Sequence, residues 1–272
     1  MANSLEIDLE ELKDFKKEGI VYEEDVEQFQ EKTKKILDQE KIEKKTPYIG
    51  MRKIIGDRLS QSKFTAPHIY FTSSVDMHKS LEILEKINQD SQTKITVNDL
   101  IVFIVTNVLE KNKNINVSLI DEQIVLHNQI NMGIAVALED GLIVPVIKNS
   151  NTKNVFEISA EIKVMVKLAR QKKLTPENYK GGTFTISNLG MYGIDQFTAI
   201  INPPEAAILA VGKINRIPIV IHESGVEKIT IRPVVKFTLS VDHRVIDGVA
   251  ASKFLREIKS ALESPDILFK LY

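Results

Sequence analysis

The sequence predicts an α/β fold: a mixed β-sheet flanked by helices, preceded by a short helical region. Three observations carry that prediction. Several segments, "AAILAVGKI" and "LIVPVI" among them, are nearly unbroken runs of Val, Ile, Leu and Ala, and strands of that kind are largely covered by helices. The strand-like segments crowd into the second half of the chain while long helical segments occupy the first, an order that favours a mixed sheet over a strictly alternating parallel wind. At 272 residues, 43% of them hydrophobic and 27% charged, the chain can bury one large core or two modest ones.

Taken in order, residues 1–46 stand apart. They carry about five more acidic than basic side chains, and apolar residues recur at Leu5, Leu9 and Leu12 and at Val26 and Phe29, which is helical spacing. Two short helices joined around Gly19 fit this pattern, followed by a charged linker over 33–46 that ends at Pro47. A solvated helical arm is the plainest use of such a region. From there "MRKIIGDRLSQSK" reads as a helix, "HIYFTSSVD" as an alternating strand and "MHKSLEILEKINQ" as an amphipathic helix. "TVNDLIVFIVTNVLEKN" is a more apolar helix, with Thr96 as N-cap and Asp99 at N3. "INMGIAVAL" and "LIVPVI" flank "EDG" as a hairpin. The helix "VFEISAEIKVMVKLARQKK" follows, then strands at "GTFTIS", "AAILAVGKI", "PIVIH" and "VVKFTLSV", and the closing helix "GVAASKFLREIKSALES".

Composition excludes several functions. The net charge of -1 comes with no basic stripe of the kind nucleic acid attracts. The absence of cysteine removes disulfides, a Cys-ligated metal and a Cys nucleophile. The longest apolar runs, "DLIVFIVTNVL" and "GLIVPVI", are too short to span a bilayer. The first residues lack the basic-then-apolar order of a signal peptide, so a cytoplasmic location is expected, with the mitochondrial matrix as the alternative.

Three constellations carry chemistry. In "TLSVDHRVIDG" an alternating apolar run leads into Asp242-His243-Arg244, with Asp247-Gly248 close behind. An imidazole, with an unperturbed pKa near ~6.5, can take a proton and return it near neutrality, and a loop just after a strand can hold its orientation. Asp247 reads as a helix start. A loop histidine beside a capping aspartate is the plain alternative. In "GGTFTISNLGMYG" a short strand ends at Ser187-Asn188, followed by Gly190 and Gly193. Small residues there admit a substrate close to the backbone, and a serine hydroxyl can donate to a developing oxyanion. No G-x-S-x-G elbow surrounds Ser187, so it is not read as a nucleophile. In "GMRKIIGDRLSQSKFTAPH" Arg52 and Arg58 stand six residues apart on a helix and share no face neatly.

Together these segments resemble the catalytic domain of dihydrolipoamide acyltransferases, the core components of 2-oxo acid dehydrogenase complexes. The resemblance covers residues 47–272 and rests on D-H-R-x-x-D-G at Asp242–Gly248, with "MRKIIGDRLSQSKFTAPH", "NMGIAVALEDGLIVPVIKN" and "FTISNLGMYGIDQFTAIINPPEAAILAVG" in order. The last stretch is most similar to acetyl (pyruvate-type) members. The resemblance implies a chloramphenicol-acetyltransferase-like fold and the transfer of an acyl group between dihydrolipoamide and coenzyme A. It implies His243 as the base that deprotonates the attacking thiol, Ser187 as the oxyanion donor, and Asp247 as the aspartate that buttresses the site, with Arg52 as its salt-bridge partner. It implies an active site shared between the subunits of a trimer, and trimers assembled into a 24-mer or 60-mer core. Coenzyme A enters as a substrate, the lipoyl group rides on another domain or chain, and no metal is involved. Dehydrogenase and lipoamide dehydrogenase components are the implied partners.

Nothing in the sequence resembles a lipoyl domain. Residues 1–32 loosely resemble the second part of a peripheral-subunit-binding domain, through Gly19, Ile20, Asp25 and Val26, with the basic residues and first helix of that domain weak or absent. A piece of a longer acyltransferase, a short form served by lipoyl arms on another polypeptide, a free-standing acyltransferase with another acceptor, and a non-catalytic core subunit all stand open at this level.

Overall fold

The apolar run ahead of Asp-His-Arg is the spine of a seven-stranded mixed sheet. The structure is a computed structural model and describes residues 15, 19–40, 46–138, 141–223 and 225–265. The chain divides into two units, Met1–Tyr48 and Ile49–Tyr272.

In the first unit, α1 (Glu23–Glu40) opens with three acidic residues, Glu23, Glu24 and Asp25, which suit the positive end of a helix dipole. The Asp25 carboxylate accepts from the Tyr22 amide at 2.8 Å, and Phe29 meets Phe15 edge-on at 5.5 Å. The helix continues across position 32, so the segment expected as a charged linker is helical as far as Glu40. The helical spacing at Leu5, Leu9 and Leu12 lies outside the described residues.

The second unit runs α2 (Gly50–Thr65), β1 (His68–Asp76), α3 (His78–Asp90), α4 (Val97–Lys111), β2 (Val117–Ile120), β3 (Gln123–Leu126), β4 (Met132–Ile134), β5 (Val136–Leu138), β6 (Gly141–Ile143), β7 (Val146–Ile147), α5 (Val155–Arg170), β8 (Phe184–Asn188), β9 (Ala207–Val211), β10 (Asn215–Glu223), β11 (Val226–Asp242) and α6 (Gly248–Glu263). The main sheet has the order β1-β11-β9-β8-β4-β7, with β10 paired to the first half of β11. β8 runs parallel to β4 and to β9; β1, β9 and β10 run antiparallel to β11. The sheet is mixed, as the strand order along the chain predicts. The expected hairpin forms in two steps, β4 against β7 and β5 against β6, and its turn residues Glu139 and Asp140 lie outside the described residues.

The core lies between this sheet and α4, α5 and α6. β9 is buried at all five residues, which is why it reads as a continuous apolar run. On α4, Leu100 to Val105 are all at most 1% exposed, and each such side chain contributes about 1.5–3 kcal/mol through burial. Thr96 and Asp99 cap that helix reciprocally: Asp99 N donates to Thr96 Oγ1 at 3.2 Å and Thr96 N to Asp99 Oδ2 at 2.8 Å. The Asp99 carboxylate is buried yet satisfied, because the Ser159 hydroxyl also donates to it at 2.8 Å.

Candidate active site

His243 is the first residue beyond β11, in an ordered turn. Its backbone amide donates to Pro67 O at 3.0 Å, while the amides of Val245 and Ile246 both donate to Asp242 O, at 3.1 and 3.0 Å. Ile246, 1% exposed, anchors the turn in the core. His243 itself is exposed, and no hydrogen bond or ion pair of its ring is seen among the described residues.

Asp247 is the N-cap of α6: its Oδ1 accepts from Ala250 N at 2.8 Å. The helix start expected from Asp-Gly is therefore present, and it holds Asp247 within the same turn as His243. Among the described residues no ion pair between Arg52 and Asp247 is seen. The pair this turn makes is Arg244 with Asp242, at 2.6 Å. Arg52 lies exposed in the first turn of α2. Farther along that helix, Arg58 donates to Pro203 O at 2.9 Å and Ser62 to Ile201 O at 2.7 Å, so α2 grips the 201–203 segment. His68 grips it too, accepting from Ile201 N at 3.2 Å through Nε2 while Nδ1 lies 2.8 Å from Ala66 O.

Ser187 is 7% exposed near the end of β8. It stands opposite Ala210 of β9, which stands opposite Thr238 of β11; His243 lies five residues past Thr238. At about 3.4 Å per residue and about 4.8 Å per strand, Ser187 and His243 of one chain are roughly 20 Å apart. Of the glycines after Ser187, Gly190 serves the packing of the chain itself, whereas a Cβ on Gly193 would meet nothing within 4 Å. A Cβ on Gly190 would lie 2.7 Å from Gly212 O, and one on Gly212 would lie 2.1 Å from Asp195 O. At Gly190 and Gly212 the close approach is made by backbone against backbone.

An open cleft of about 840 Å³ runs between β1 and the start of α6, lined by Ile69, Phe71, Asp247, Val249, Lys253 and Arg256. β1 is an edge of the sheet. Among the described residues no group of three or more His, Cys, Asp or Glu could hold a metal ion, and no helix is long and apolar enough to cross a membrane.

Two features escaped the sequence reading. One is the Asp242–Arg244 pair, whose only signal was opposite charge on either side of His243. The other is Glu205, 5% exposed, whose burial pushes its carboxyl up to about 8, although Asn202 Nδ2 donates to Oε1 at 3.1 Å and the charge of Arg58 opposes the shift.

The profile of the family described as "2-oxoacid dehydrogenases acyltransferase (catalytic domain)" matches residues 40–270. The chain is 44% identical over 226 residues to the dihydrolipoyllysine-residue acetyltransferase component of the pyruvate dehydrogenase complex of Rickettsia felis, covering 82% of this chain and 54% of that protein. It is 44% identical over 222 residues to the mitochondrial counterpart of Schizosaccharomyces pombe, covering 80% of this chain and 46% of that one. It therefore spans about half the length of these curated relatives. Among solved structures, it matches the dihydrolipoamide acetyltransferase of Azotobacter vinelandii, in which the catalytic roles of a serine, a histidine and an asparagine were investigated, at TM-score 0.77 and 29% identity over 84% of this chain and 94% of that one. The cubic core of a pyruvate dehydrogenase multienzyme complex matches at TM-score 0.77 and 30% identity, over 84% and 94%. Chloramphenicol acetyltransferase, at TM-score 0.50 and 15% identity over 76% of this chain and 94% of that one, shares the fold.

Proposed function

The chain belongs to the family of 2-oxoacid dehydrogenases acyltransferase catalytic domains, and on that premise we propose that it moves an acyl group, acetyl by preference, between dihydrolipoamide and coenzyme A. The observation that carries this reading is the Asp242–Gly248 turn. It fixes the backbone of an exposed His243 between β11 and α6 and leaves the ring without a protein partner among the described residues. A free thiol has a pKa near ~8.5, so an imidazole base is matched to it. His243 takes the thiol proton and the thiolate attacks the thioester carbonyl. The Ser187 hydroxyl donates to the oxyanion, and His243 returns the proton to the departing thiolate. The transfer is direct, in keeping with a sequence that has no cysteine.

The roughly 20 Å between Ser187 and His243 supports a site completed by two chains. We assign the serine to a neighbouring copy in a trimer, within a larger core of a 2-oxo acid dehydrogenase complex. Exposed Phe64, Met191 and Ile229, 78–88% accessible, support burial against other copies. Arg52 and Asp247 are assigned support of the site, with any pairing between them made across chains. Residues 1–32 are assigned as a degenerate peripheral-subunit-binding segment. The lipoyl group arrives on another domain or chain, and the cytoplasm is the assigned compartment, the mitochondrial matrix being the alternative.

The test is transfer from acetyl-CoA to free dihydrolipoamide, followed by loss of the free thiol. Turnover that vanishes in His243→Ala supports the reading. Transfer only to a different acceptor would make this a free-standing acyltransferase. An inactive protein that sediments as a trimer or larger would make it a structural core subunit.

A further inference from the structure

Asp242 and Arg244 flank His243 and are tied to each other across it. Asp242 Oδ1 accepts from the Arg244 backbone amide at 3.0 Å and from Nε at 3.0 Å; Oδ2 accepts from Nε at 3.1 Å and from Nη2 at 2.6 Å. The Asp242 side chain is only 6% exposed while that of Arg244 is 40% exposed, so the carboxylate is a nearly buried anchor and the guanidinium its lid. The backbone of Asp242 is equally committed: its amide donates to Ala206 O at 2.9 Å and its carbonyl accepts from two amides of the turn. A bidentate guanidinium–carboxylate pair has a fixed planar geometry that an ammonium does not reproduce. Closing it over a span of two residues restricts the backbone torsions of the residue between.

We infer that Asp242 and Arg244 are positioning residues, a clamp whose work is to hold His243 at the geometry that proton transfer requires. The inference rests on the acyltransferase reading above. An exposed imidazole on an unclamped turn samples many positions, and a misplacement of about 1 Å costs on the order of 10²-fold in rate. The clamp touches neither thiol nor thioester, so its loss falls on kcat and leaves substrate binding in place.

The experiment uses the full chain. Arg244→Met leaves a nearly buried carboxylate unpaired and can fail to fold. The decisive variants are therefore Asp242→Asn, which keeps the shape, the double Asp242→Asn/Arg244→Met, which removes both charges, and Arg244→Lys, which keeps the charge without the fork. Each is assayed for kcat and KM, and amide hydrogen exchange is followed in the peptide spanning residues 240–248. The clamp predicts a kcat loss of about 10–100-fold in Asp242→Asn and the double variant, with KM within about twofold. Arg244→Lys should fall between them and the parent. Exchange should quicken in the 240–248 peptide alone. Unchanged kcat, with or without faster exchange, overturns the proposal, as does a rise in KM at constant kcat. If the parent itself shows no acyl transfer, the functional reading has failed, and unaltered exchange in the variants then overturns the clamp separately.

Discussion

Ser187 and His243 sit toward opposite ends of one sheet, the serine level with Thr238 of β11 and the histidine five residues beyond it. No side-chain rearrangement spans roughly 20 Å. If both act on one thioester, they act from different chains. Chains carrying only Ser187→Ala and chains carrying only His243→Ala should then complement one another when co-assembled. Random mixing in equal amounts leaves about one interface in four with both groups intact, so activity should return to about a quarter of the parent value from two inactive stocks. Co-assembled material as inactive as its components would show that the two residues never share a site.

The single variants should differ in degree. His243→Ala removes the proposed base and should lower turnover on the order of 10²–10⁴-fold. Ser187→Ala removes the proposed oxyanion donor and should cost on the order of 10²–10³-fold in kcat. Both should leave the sedimentation of the parent unchanged. A serine variant at parental rate would strike Ser187 from the site.

Asp247 has a structural duty that its amide analogue can share. The carboxylate caps α6 by accepting from Ala250 N, which an asparagine oxygen also does. Asp247→Ala should therefore lower stability by about 1 kcal/mol, and Asp247→Asn by much less, as read from denaturant midpoints at constant m. Equal losses in the two variants would mean that charge, not the cap, is what the position supplies.

Glu205 makes stability depend on pH. Its folded-state pKa is raised to about 8 from an ordinary 4.5. Between those values the unfolded chain releases the proton while the folded chain keeps it. Stability from this group is thus fully present below pH 4.5 and is lost as pH rises through 8, on the order of 5 kcal/mol in all. Thermal melts should show the parent losing stability from pH 5 to pH 8 more steeply than Glu205→Gln. Parallel curves would show that the buried carboxyl does not titrate as proposed.

The elements were legible in particular residues. Thr96 and Asp99 announced the capping of α4, Asp247-Gly248 announced the start of α6, and the unbroken apolar run Ala206–Val211 announced a strand covered on both faces. Local signals were enough there because a cap or a buried strand is written in adjacent residues. The role of Gly190 was less legible. A glycine shows that something comes close, and only the packing shows that the neighbour is Gly212 O. Glu205 was invisible for the same reason: its perturbation is made by burial beneath segments distant in sequence.

By itself, then, the sequence determined the mixed α/β class, the family and the residue types able to carry thiol chemistry, because those depend on composition, periodicity and motif order. Tertiary structure alone decided which of these groups meet. Strand register put Ser187 far from His243, and the turn geometry paired Arg244 with Asp242. The physical reason is that a motif specifies torsions over a few residues, whereas the distance between two motifs is set by the pairing of strands that lie between them.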